Sequence, residues 1–233
     1  MKVLVLSTLH QFHGHVDYYT YEDLERIIWS FSPDILAVEL RPSDVEGRVP
    51  QRIKQEYQKS VYPLIDKLKC EVIPLEPAEP KYSELIQMAR ESMENVQKNN
   101  PEALEHFKLY VEALYEVLFQ WWSSVLDVNS YETDRHFEIK RRYQNSLFGD
   151  KEGRAWEEWN RHFLEQILKA NEGRKDGKML VLVGAEHSYW LRGELRKRHD
   201  VQLLEAPEVL PDIIGSRGSR PGSGKQEFSP PQG

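Results

Sequence analysis

The stretch Met179-Leu-Val-Leu-Val183-Gly184-Ala-Glu-His187 decides the reading of this chain. Five consecutive apolar residues after Lys178 leave no polar face, so this strand must be covered on both sides, as inside a parallel sheet. Gly184 suits a tight turn off such a strand, because it has no Cβ. A helix is expected from about Glu186 to Arg198. Two more runs have the same character. Val3–Leu6 leads into Ser7-Thr8-Leu9-His10, and Ile35–Val38 ends at Glu39-Leu40-Arg41. Between them Thr20 can cap a helix whose apolar face is Leu24, Ile27, Ile28 and Phe31. Glu22, Asp23 and Glu25 favour its first turn, and Pro33 stops it. A helical stretch from about Pro50 to Leu68, interrupted by Pro63, precedes a short third strand, Glu71–Leu75. Val201–Leu204 reads as a last strand. Strands alternating with helices define an α/β fold with a central, mostly parallel sheet flanked by helices.

The alternation breaks in the middle. From about Ser83 to Ala170 no strand pattern occurs, which predicts a large helical insertion between the third and fourth strands. The chain is therefore expected to be one α/β domain over residues 1–214, with the insertion at about 81–150. Asn100 and Pro101 form a cap and first turn. The helix that follows carries Leu104, Phe107, Val111, Leu114, Leu118, Trp121 and Val125, at alternating spacings of three and four. Such a stripe fits a packed helical hairpin or a homodimer seam better than a face for cofactor or lipid. Trp121 and Trp122 are expected in a core or interface. Gly149-Asp150 breaks the helical pattern, and a further helix spans roughly Trp156–Ala170. Residues 215–233 are Gly, Ser, Pro and charge without periodicity, the composition of a disordered tail.

Among 233 residues, 31 Lys and Arg oppose 38 Asp and Glu, a net charge of −7. That balance argues against a dedicated nucleic-acid binder or a polybasic membrane binder. No apolar run approaches the roughly 20 residues that span a bilayer. Met1–Leu6 is too short for a signal-peptide core. Cys70 is the single cysteine, which excludes an internal disulfide and a zinc-finger ligand set. A cytoplasmic location is the expectation.

Three strands end in residues that carry chemistry: His10, Glu39 and His187. Open parallel sheets bind ligands beyond the carboxyl ends of their strands. If these strands are neighbours, two imidazoles and a carboxylate meet on one rim. They could then perform general acid–base work, or His10 and His187 could hold a divalent metal. One histidine after a strand is usually a loop or capping residue. Two at equivalent ends, with a carboxylate at a third, favour a site. In the helix after Gly149, Trp156, Trp159, Phe163, Leu164 and Ile167 define an apolar arc with Asn160 near its centre, where its amide must be hydrogen-bonded. Arg161 lies at the edge of that arc. A structural amide beside a surface arginine is an equal alternative to a role for either in the site.

The segment His10-Gln-Phe-His13-Gly-His15-Val-Asp17 is dense in histidine. His13-x-His15-x-Asp17 is similar to the metal loop of metallo-β-lactamase-fold hydrolases, but Tyr18 stands where that pattern continues with His. That fold also needs antiparallel strands absent here, and amidohydrolase or PHP barrels fail on the same missing strands. His13 and His15 are expected to line a loop over the site or to be solvated, with some affinity for metal ions.

The ordered stretches Ser7-Thr-Leu-His10, Val38-Glu39-Leu-Arg41, Glu158-Trp-Asn160-Arg161-His-Phe163 and Gly184-Ala-Glu-His187 resemble the TraB/Tiki superfamily, which includes erythromycin esterases and ChaN-like haem-binding proteins. Ser7 replaces the first glycine of that pattern, Trp159 an arginine and Phe163 a methionine. The resemblance covers the two α/β ends of the chain. It implies a hydrolase of an amide or ester bond in a small-molecule or peptide substrate. His10 or His187 would act as general base on water, or both would hold a divalent cation such as Mn, Co or Zn. Glu39 would orient a histidine or take the proton. Arg161 would stabilise the oxyanion, with Asn160 fixing geometry and Arg41 a second candidate. The alternatives are a ChaN-like module binding haem or metal without turnover, suggested by His10, His13 and His15, and an interaction protein using the Leu104–Val125 stripe.

Overall fold

The computed structural model describes residues 1–174 and 176–214, so the expected tail lies outside the described residues. The apolar runs form five strands: β1 (Lys2–Thr8), β2 (Ile35–Val38), β3 (Glu71–Pro74), β4 (Lys178–Gly184) and β5 (Gln202–Leu204). They pair in the order β3-β2-β4-β1-β5, and every pairing is parallel. The register sets Thr8 opposite Gly184 and Val38 opposite Leu182. The ends of β2, β4 and β1 therefore lie side by side on one rim. From β1 the chain crosses to β2, and from β4 it crosses to β5 on the other side. Connections leaving two neighbours in opposite directions open a crevice at their carboxyl ends.

Strand side chains alternate between two layers. Leu4, Leu6, Leu36, Val38, Leu180 and Leu182 pack with Leu24, Ile27 and Ile28 of α1 (Tyr21–Phe31) and with Tyr57. Val3, Val5, Ile35, Ala37, Val181 and Val183 face Phe163 and Ile167 of α7 (Tyr131–Asn171) and Leu191 and Leu195 of α8 (Ala185–Arg196). Thr20 starts α1 with a capping box: its hydroxyl accepts the Asp23 N–H at 3.2 Å and the Asp23 carboxylate accepts the Thr20 N–H at 2.9 Å. Between β2 and β3 a short helix precedes the expected helical stretch, which is continuous from residue 55 to 68. After α2 (Pro42–Gly47), a π-helical turn, Tyr57–Val61, runs into α3 (Tyr62–Leu68). Pro63 begins α3 rather than interrupting it, since the first turn needs no N–H from that residue.

Among the described residues no strand lies between β3 and β4; the link carries α4 (Lys81–Asn99), α5 (Pro101–Trp121), α6 (Val125–Val128) and α7. The stripe on α5 faces inward within one chain. Leu114 and Leu118 join the sheet core, while Leu104 and Phe107 pack with Val96 and Phe148. That is the helical-hairpin reading of the stripe for Leu104, Phe107, Leu114 and Leu118, whereas Val111 is half-buried. The helix also stops before Val125, because Ser124 caps α6 by accepting the Asp127 N–H at 3.2 Å. Trp122 is buried with its Nε1–H on Thr133 Oγ1 at 2.8 Å, whereas Trp121 is exposed. No helix among the described residues is long and apolar enough to cross a membrane. A further helix, α9 (Ala206–Ile214), follows β5.

Gly149 bends α7 into two arms with φ 76° and ψ −172°. This backbone region is essentially restricted to glycine. The bend carries the second arm onto the sheet, where Phe163 and Ile167 are buried. Gly149→Ala is therefore expected to lower stability by about 1–3 kcal/mol, read as a fall in the urea midpoint; an unchanged midpoint would mean that the bend does not need glycine.

Candidate active site

His10 enters the site from β1. It adopts a left-handed backbone, φ 51°, at the start of a 3-10 turn, His10–Gly14. Its Nδ1 lies 2.7 Å from Glu56 Oε1, and the Thr8 hydroxyl donates to the same oxygen at 3.0 Å. A carboxylate only accepts, so Nδ1 carries the proton and Nε2 faces the rim. Glu56 is fully buried, and its second oxygen has no hydrogen-bond partner. A carboxylate in that setting is stable as an anion only beside a cation. Burial works against charge on His10, but the charge and hydrogen bond of Glu56, joined by Glu39, together raise the imidazole above its ordinary pKa.

His187 lies in the first turn of α8. Asn160, fully buried at the centre of its apolar arc, donates Nδ2–H to the Trp156 carbonyl at 2.8 Å. Its Oδ1 then accepts the His187 Nδ1–H at 2.9 Å. The free lone pair of His187 is thereby placed on Nε2. The ring packs nearly parallel to Trp156 (9°, centroids 6.2 Å apart) and against Phe163 at 5.4 Å. Burial lowers its pKa, only partly opposed by Glu39.

Gly184, at the end of β4, lies against the His10 ring. A Cβ there would fall 2.6 Å from His10 Nε2, so any larger residue would displace the ring. The Gly184 N–H donates to Glu39 Oε2 at 2.6 Å. Lys54 lies 2.9 Å from Glu39 Oε1, donates to the Glu39 carbonyl at 2.9 Å and reaches Glu76 Oε1 at 2.6 Å. Burial pushes the Glu39 carboxyl up, but Lys54, the two histidines and the Gly184 N–H together hold it well below the carboxylate range. Burial likewise works against the Lys54 charge, and the two carboxylates more than reverse it. Glu39 is thus a fixed anion within electrostatic reach of both histidines. The carboxylate that orients His10 is Glu56.

His10, Glu39, Asn160 and His187 are brought together as the sequence suggests, and three other residues are not. Arg161 is 62% exposed and paired with Glu157; one helical step of about 100° from buried Asn160 turns it to solvent. Arg41 is clamped on Asp44 at 2.7 and 2.9 Å and lies over the Tyr82 ring. His13 neither lines the site nor meets solvent. It is buried, its Nε2 accepts the Leu9 N–H at 3.0 Å, and its Nδ1–H donates to the Tyr19 carbonyl at 2.8 Å. It pins the turn that carries His10, while His15 is exposed. The three histidines of the segment therefore do not converge.

Lys54 and Glu56 escaped the sequence reading, since they lie in a stretch whose local pattern is an ordinary charged helix. The donor set does not fit a resident metal. No group of three or more His, Cys, Asp and Glu side chains among the described residues could hold an ion. An ammonium already neutralises Glu39, and Glu56 is engaged by His10 and Thr8. Comparison with family models, curated proteins and solved structures gives no match.

Burial lowers His13 to a pKa of about 4, below the ordinary 6.5. As pH falls, the unfolded chain binds this proton first, so stability is full above 6.5 and declines until about 4. The expected slope is about 1.4 kcal/mol per pH unit at most. Urea melts across that window, compared with His13→Gln, check it: the variant should lose this component of the slope.

Proposed function

We propose that the chain is a hydrolase of an ester or amide bond that works by paired histidine acid–base catalysis on water. The observation that carries this reading is the different partner of each imidazole at adjoining strand ends: His10 Nδ1 lies 2.7 Å from the buried Glu56 carboxylate, which favours the charged ring, and His187 Nδ1 lies 2.9 Å from the Asn160 amide in an aromatic pocket, where burial favours the neutral one. Environments that push two titratable groups apart assign the acid and the base. His187 Nε2 takes a proton from water as oxygen attacks the carbonyl. His10 Nε2–H gives its proton to the departing oxygen or nitrogen. Proton exchange with solvent then restores both rings. Asn160 holds the reactive tautomer of His187, and Glu56 does so for His10. The Glu39–Lys54 pair fixes the floor without exchanging protons.

The neighbouring hydroxyls support water as nucleophile. Ser7 and Ser188 are buried and bonded to each other at 2.8 Å, and Thr8 is bonded to Glu56. The motif order resembling the TraB/Tiki superfamily supports the same reaction class. No step here passes through a metal, and Arg161 takes no part.

Turnover of p-nitrophenyl acetate and of aminoacyl p-nitroanilides tests the reading. The rate should climb as His187 loses its proton below pH 6.5 and drop as His10 loses its own above pH 6.5. His10→Gln and His187→Gln should each reduce kcat by about 10²–10⁴. Glu56→Gln should move the alkaline limb to lower pH. Absence of hydrolysis across the panel, or turnover indifferent to both histidines, would overturn it.

A further inference from the structure

A cavity of about 580 Å³ lies away from the strand-end rim, in the elbow where Gly149 bends α7. That volume is within the range of small-molecule sites. Gly149 and Gly153 line it from one side, and the backbone conformation of Gly149 forbids a side chain there. Trp156, Tyr189 and Trp190 form an aromatic wall: the Tyr189 ring lies 6.0 Å from Trp156 at 16°, and Trp190 stands edge-on to it at 6.3 Å.

The charges around the elbow are unevenly matched. Arg141 is neutralised by Glu152 and lies over the Trp156 ring at 4.7 Å. The lining carboxylates Glu138 and Glu157 are paired with Arg135 and Arg161. Arg142 and Arg154, one on each arm, form no ion pair or hydrogen bond among the described residues, and Asp150 is the single unpaired lining carboxylate there. Two unpaired arginines and an aromatic wall line the same cavity, offering fork-shaped donors for an anion and a flat surface for a ring.

We propose that this elbow is a second binding site, for a small anion attached to an aromatic ring. The two arginines clamp the anionic group and the Trp156–Tyr189–Trp190 wall receives the ring. Trp156 also packs on His187, so the ligand lies one side chain away from the strand-end rim. The assignment stands independently of the hydrolytic reading.

Calorimetric titration of the full chain with phenyl phosphate tests it, with inorganic phosphate and phenol as the separate halves. Phenyl phosphate should bind saturably and more tightly than either half. Arg142→Ala and Arg154→Ala should each weaken it about tenfold, while Arg198→Ala, in a distant exposed pair with Asp200, should leave it unchanged. Both cavity arginines are exposed, so the variants should keep the parent melting temperature and circular dichroism. Lack of saturable binding, equal binding of inorganic phosphate, or full binding by the double arginine variant would overturn the proposal.

Discussion

The parallel pairing of β1 with β4 is the constraint on which the rest depends. Its register places Thr8 opposite Gly184, joining two segments far apart in the chain. Both strands are buried on each face, so a slip would remove every ladder hydrogen bond and turn each side chain to the wrong layer. The rim inherits that precision. His10 and His187 follow strand ends that cannot shift, and Glu39 is tied to the same ladder by its N–H to the Leu182 carbonyl at 3.2 Å.

The elements around the rim divide the chemical work between them. The segment before α3 supplies Glu56 and Lys54, one directed at His10 and the other at Glu39. The second arm of α7 supplies Asn160, Trp156 and Phe163 around His187. The first arm of α7 and α5 grip α8 beside it: Tyr115 donates to Glu186 at 2.6 Å and Lys140 pairs with its other oxygen. Two chemically identical rings thus receive different charge from different parts of the chain. A carboxylate stabilises the protonated form of one, and an amide within an aromatic pocket favours the neutral form of the other.

The backbone framework was largely legible, because its signals are local. Continuous apolar runs mark buried parallel strands, Thr20 marks the start of α1, and Gly149 marks the break where α7 bends. The rim histidines and Glu39 were legible because position after a strand end is itself a signal. Glu56 and Lys54 were not, since their meaning comes from pairing across the fold. Arg161 misled because proximity in sequence to Asn160 counts for little on a helix, where one step turns a side chain from core to solvent. His13 misled in the opposite way: a histidine-dense loop suggests ligation, yet this ring satisfies two backbone groups inside the protein. The α5 stripe announced burial without saying against what.

The opposed tuning of His10 and His187 is the central claim, and NMR titration of the two rings in the intact chain tests it most directly. His10 should titrate above 6.5 and His187 below it, and Glu56→Gln should lower His10 while leaving His187 in place. Two rings titrating together near 6.5, both indifferent to Glu56→Gln, would contradict it.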